Sequence, residues 1–176
     1  MLFSDRSLWT MVHGLVVSGG AMLLLAVALY SLRAMALPPG SAVPARHADH
    51  LAWSAVLGAA LLWFAVLGGT YVVFPMYRAT PPEGVASLAA YPRALLMASE
   101  DTRWLHAFGM EIKEHLPWIA AMLSTAAAFV AWRHRATLLA DAPLRTITAT
   151  LLALALGFVA AVALLGVFVN KVAPLW

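Results

Sequence analysis

Four long apolar stretches separated by short polar interruptions set the pattern of the chain. They run from Trp9 to Leu32, from about His50 to Phe74, from about residue 112 with an apolar core of Leu116 to Trp132, and from Thr146 to Val169. An α-helix rising about 1.5 Å per residue needs roughly 20 apolar residues to cross a bilayer, and each stretch meets that length. Asp49 reads as an N-cap and Pro75 as a stop for the second, and Asp141 with Pro143 as the start of the fourth. Trp9, Trp53, Tyr71, Tyr77, Trp118, Trp132 and Trp176 fall near stretch ends, where an aromatic belt would place them. The pattern predicts an all-α membrane protein: one integral-membrane domain over residues 1–176, with four transmembrane helices in an up-down bundle.

The connections differ in kind. Residues 33–49 and 133–145 are short loops, whereas 75–103 is longer and holds Pro75, Pro81, Pro82, Gly84 and Pro92. Within it, Val85 to Met97 is apolar with Tyr91 and Arg93, which predicts a short interfacial helix on the membrane surface. Ser99, Glu100 and Asp101 then offer caps for a helical lead into the third span.

Composition agrees and narrows the chemistry. The 176 residues are 63% hydrophobic and 11% charged, against roughly 25% charged in soluble domains. There is no cysteine, which excludes disulfides, thiolate metal sites, iron–sulfur clusters and covalent c-type haem attachment. No basic cluster with interleaved aromatics points to nucleic acid. Ala34-Met35-Ala36 resembles a signal-peptidase box, but the preceding apolar run exceeds the ~7–15 residues of a signal peptide and Asp5 offsets Arg6, so residues 9–32 read as a retained span. The face holding both termini and the 75–103 loop carries Arg6, Arg78, Arg93, Arg103, Lys113 and Lys171; the opposite face carries Arg33, Arg46, Arg133, Arg135 and Arg145. Arginine is denser in the short loops of the opposite face, which reads as cytoplasmic by the positive-inside rule. The expectation is a bacterial-type inner membrane, multi-pass, with both termini periplasmic.

Candidate chemistry concentrates in Trp104-Leu-His-Ala-Phe-Gly-Met-Glu-Ile-Lys-Glu-His-Leu-Pro-Trp118, where ionisable groups abut an apolar run. Such groups at a membrane boundary are costly unless solvated or paired. His13, about one turn inside the first span, is the other histidine in an apolar run near this face, with Gly14, Gly19 and Gly20 nearby to let a flat cofactor or a neighbouring backbone approach. His106 and His115 stand nine residues apart, about 900° around a helix and about 13.5 Å along it, so they serve different faces. Glu111, one turn before His115, could accept a hydrogen bond from its second ring nitrogen, as partners of ligating histidines do. The plainer readings stay open: His13 as an interfacial histidine bonded to a neighbouring helix, and Glu111, Lys113, Glu114 and His115 as a solvated helix start. His106 with Met110 is an alternative site, and His50 with His134 a second pair at the opposite face. There is no His-Glu-x-x-His motif, no Glu-x-x-His pair and no mid-span acid of the kind that marks ion-coupled transport.

The stretch His13-Gly-Leu-Val-Val-Ser-Gly-Gly20, with His115 heading a later span, resembles the small four-helix membrane proteins that hold b-type haem: membrane anchors of respiratory dehydrogenases, cytochrome b561-like proteins and copper-resistance D-like proteins. The resemblance covers the architecture and these two residues. It implies His13 and His115 as axial ligands of one haem b, with Gly19 or Gly20 making room for the porphyrin and Arg78, Arg93, Arg103 or Lys171 pairing with propionates. Many such proteins hold two haems on four histidines; one pair here implies a single-haem electron-transfer subunit of a respiratory or photosynthetic complex. Its expected partners are other membrane redox subunits, a cytochrome c or a quinone, and the lipid bilayer. The alternatives are a non-catalytic accessory subunit and an integral-membrane enzyme of porphyrin or quinone chemistry.

Overall fold

The computed structural model describes residues 3–36 and 44–175, with side chains in the second segment described from Arg46 onward. Residues 37–43 of the 33–49 loop, residues 1 and 2, and Trp176 lie outside the described residues. The described chain is 85% helical with no strand. Four helices are long and apolar enough to cross a membrane: Asp5–Ala34, Arg46–Tyr77, Glu100–Arg133 and Ala142–Val172. The chain is a multi-pass membrane protein by the length and composition of these helices. The shortest has 30 residues, about 45 Å of rise against a hydrocarbon layer of about 30 Å, so each helix extends past its apolar stretch.

Local chemistry sets the helix starts. Ser4 Oγ accepts from the amide of Ser7 at 3.2 Å, Ser99 Oγ from Asp101 at 3.3 Å, and Asp141 Oδ1 from Leu144 at 2.8 Å. Asp49 is not a cap: the second helix already runs through it, and its carboxylate meets Arg135 Nη1 at 3.1 Å instead. Pro75 is not the stop either. The helix continues to Tyr77, because a π-helical segment at Gly69–Val73 resets the backbone and places Pro75 in the first turn of the α-helical segment Phe74–Tyr77, where a missing N–H costs little. The helix in the 75–103 loop is present but shorter than Val85–Met97; it covers Pro92–Met97, its start set by Pro92. Inside the 133–145 connection, Arg135–Ala140 is helical, and Arg145 Nη1 donates to the end carbonyls of Leu138 at 2.8 Å and Leu139 at 3.1 Å.

The spans form a ring: first on second, second on third, third on fourth, and fourth back on first. First and third are therefore diagonal. Lipid gives helices no hydrophobic drive to associate, so close approach of small residues must do it. Ala21, Ala28, Ala55, Ala121, Ala127 and Ala155 are buried in the core between the spans. Gly20 faces Leu61 and Gly58 faces Leu24, and a Cβ on either glycine would stand 3.2 and 3.4 Å from those side chains. Trp63 Nε1 donates to Thr125 Oγ1 at 3.0 Å, a polar tie between second and third spans. Leu15, Val16, Leu23, Phe64, Tyr71 and Phe129 stay exposed, as a lipid-facing surface requires.

Candidate functional site

At the end of the bundle holding the N-terminus, the four spans part around a cavity of about 700 Å³. That volume falls in the range of small-molecule and cofactor sites, roughly 300–1,000 Å³. The backbone explains the opening. Three of the four spans carry a π-helical segment at this same end: Val12–Ser18, Gly69–Val73 and Leu105–Met110. A π turn holds an extra residue, widens the helix and re-aims its side chains, and such turns recur at functional sites. In the first span Ser18 Oγ donates to the carbonyl of His13 at 2.8 Å, so the side chain supports the wider turn.

His13 projects from this π segment into the cavity wall. Its Cε1 lies 2.9 Å from where a Cβ on Gly69 would sit; any side chain there would displace the ring. Its Nδ1 is buried and has no hydrogen-bond partner among the described residues. From the diagonal span, Met110, Lys113, Glu114, Pro117 and Trp118 line the cavity. Their spacing of three and four residues makes one helical stripe. His115 also borders the cavity, but at the edge of that stripe, with 70% of its side chain exposed. Its Nδ1 is 2.7 Å from the main-chain carbonyl of Glu111. A carbonyl only accepts, so Nδ1 is the donor, and in the neutral tautomer this leaves the lone pair on Nε2. The Glu111 carboxylate stands at 3.9 Å from the same nitrogen; the backbone of that residue holds the ring more closely than its side chain does. The hydrogen bond expected from the Glu111 side chain is made by its main-chain carbonyl instead.

Other expected residues lie elsewhere. His106 Nδ1 is 2.8 Å from Tyr77 Oη and stands behind Tyr77, which itself borders the cavity. The glycines of the cavity wall are Gly14, Gly69 and Gly166; Gly19 is not among them, and Gly20 is taken up by Leu61. Arg78 lies over the Phe74 ring at 5.4 Å, Arg93 has a buried Nε without a partner, and Arg103 is exposed. None of the three lines the cavity; its arginine is Arg6, whose Nη2 donates to the Pro174 carbonyl at 3.0 Å. At the opposite face His134 packs edge-on to Phe129 and His50 to His47, each about 6 Å between ring centres (6.0 and 6.1 Å). No cluster of three or more His, Asp or Glu suited to a free metal ion occurs among the described residues.

The sequence alone does not mark Lys113, Glu114, Arg6 or Gly69 as cavity residues. The spacing of Met110, Lys113, Glu114, Pro117 and Trp118 is a signal that could have found two of them; the π turn that brings Gly69 to His13 leaves none. The chain matches no known family model, no curated protein and no solved structure.

Proposed function

We propose that this protein is a membrane-embedded electron-transfer subunit that holds one b-type haem between His13 and His115. One observation carries the reading: imidazoles from two diagonal spans border a single cavity of about 700 Å³, each with a ring nitrogen left free. The residues fit the group. An orphaned, buried Nδ1 on His13 costs free energy until something occupies it, and the apolar walls suit a porphyrin. A bound haem would be held by His13 and His115 and would supply one-electron chemistry. The chain's own part is to fix the two rings: Gly69 and Ser18 around His13, the Glu111 carbonyl behind His115. In this reading the cavity end is periplasmic in a bacterial-type inner membrane. The exposed outer faces meet lipid and other redox subunits, and the electron partner is a cytochrome c or a quinone.

The outward exposure of His115 favours a second reading, a non-catalytic accessory subunit whose helices only pack against partners. A reduced-minus-oxidised spectrum of the purified chain separates the two. We expect a low-spin b-type spectrum, abolished or turned high-spin by His13→Ala or His115→Ala and unchanged by His47→Ala or His134→Ala. A pure protein with no Soret band, or a normal band in both ligand variants, leaves the accessory reading in place.

A further inference from the structure

Lys113 is the cavity residue that the haem reading leaves unused. It sits on the inward stripe of the third span, and its Nζ reaches the fourth, 3.4 Å from the carbonyl of Val162 and 3.2 Å from where a Cβ on Gly166 would be. That hydrogen bond is long, and a carbonyl offers only a partial charge. Among the described residues, the contacts of 4.0 Å or less between basic and acidic side chains are His115 with Glu111 and Arg135 with Asp49; neither involves Lys113. Glu114 is adjacent in sequence, but its side chain is exposed and makes no such contact with Lys113. His13 is the titratable group facing it from the first span, and Arg6 stands on the same cavity wall already committed to Pro174. Arg6 and Lys113 against Glu114 leave the wall with an excess of one positive charge, 2 − 1 = +1, with histidines neutral. An ammonium drawn into an apolar cavity without a counter-charge is costly, and a bound anion removes that cost.

We propose that Lys113 is the carboxylate-recognising residue of this cavity. Its ligand is then an amphipathic carboxylic acid, with the apolar body against the aliphatic walls and the acid group at Nζ. Applied to a porphyrin, whose propionates are such acids, the proposal rests on the reading of the cavity as a haem site. It assigns Lys113, and not Arg78, Arg93 or Arg103, to a propionate. Gly166 leaves the space beside Nζ open.

The test uses metal-free protoporphyrin IX and its dimethyl ester, titrated into the full chain in detergent. Binding is read from quenching of tryptophan emission, since Trp118 lines the cavity 5.8 Å from Trp63. Without iron, the axial histidines contribute no ligation. The wild type should bind the acid about tenfold more tightly than the ester, the scale of one charge-assisted hydrogen bond. Lys113→Met should erase that preference and Lys113→Arg keep most of it, while His134→Ala, at the opposite face, leaves it intact. Gly166→Val, which crowds Nζ from the other span, should reduce it as well, and so tests the assignment independently of whether Lys113→Met folds. Equal affinity for acid and ester in the wild type, binding of neither, or an undiminished preference in both Lys113→Met and Gly166→Val would overturn the proposal. A retained acid preference with no low-spin spectrum from haemin would sink the haem reading alone. A low-spin spectrum without the preference would sink the Lys113 assignment alone.

Discussion

The two ends of the bundle are built on different rules. Toward the 133–145 connection the spans are regular α-helix, packed through fully buried small and aliphatic residues: Ala28, Leu51, Ala52, Ala55, Ala127 and Leu138. Edge-to-face Trp53 and Trp132, 5.0 Å apart, and the Asp49–Arg135 pair finish that end. Toward the N-terminus three of the same four helices carry π segments, and the spans part around a cavity lined by glycines, a lysine and two histidines. Close contact of small residues is how helices hold together in lipid, and that work is concentrated at one end. The other end is free to carry polar groups and irregular backbone that would weaken a packing interface. Stability and chemistry are therefore separable along the bundle axis.

The largest effect expected from that division is at the packed end. Ala55 and Ala127 have no exposed surface, so Ala55→Leu or Ala127→Leu must push the spans apart. Overpacking of this kind costs about 1–3 kcal/mol. Thermal or denaturant unfolding followed by circular dichroism in detergent should show it clearly, and unchanged unfolding in both variants would remove the contrast between the ends. Next comes Gly69→Val at the open end, where a side chain collides with the His13 ring. On the proposed haem reading it should cut haem occupancy several-fold, while stability moves by under ~1 kcal/mol, as for substitutions outside a packed core. A large loss of stability with occupancy kept would reverse the assignment of roles. The smallest effect belongs to Arg135→Ala. Its partner Asp49 is exposed, with side-chain exposures of 47% and 64% for the pair, and such surface pairs contribute about 0–1 kcal/mol. A cost well above that, measured in the same unfolding assay, would mean the pair holds the two short connections together.

The difference between the ends also explains what could be read from the amino acids. Bilayer thickness fixes helix length, so four apolar runs gave four spans, and Ser99 and Asp141 cap where their chemistry predicts. Asp49 failed as a cap because its helix starts earlier, and its carboxylate finds a partner 86 residues away. No local pattern announces such a partner. Pro75 failed as a stop because π-helical hydrogen bonding has no periodic signature of its own; Val12–Ser18 and Gly69–Val73 look like any apolar helix. That same blind spot hid Gly69. Gly20, expected beside a cofactor, is spent on Leu61, since a glycine serves helix packing and ligand approach equally well and only the neighbour decides. Lys113 was legible in principle: three residues after Met110 and four before Pro117, it shares their face, whereas the more conspicuous His115 lies at its edge.

The diagonal placement of the first and third spans has a consequence for how the protein comes to exist. The chain is two helical hairpins, the first two spans and the last two, joined by the 75–103 segment. His13 and Gly69 belong to the first hairpin; Lys113, His115 and Gly166 belong to the second. Neither hairpin contains a cavity by itself. During synthesis the first pair of helices enters the bilayer with His13 and Gly69 but without Lys113, His115 and Gly166. Docking of the second pair brings together the residues that line the cavity. Loading of any ligand is therefore a late step, after insertion is complete, and it acts on a bundle already held together at its opposite end.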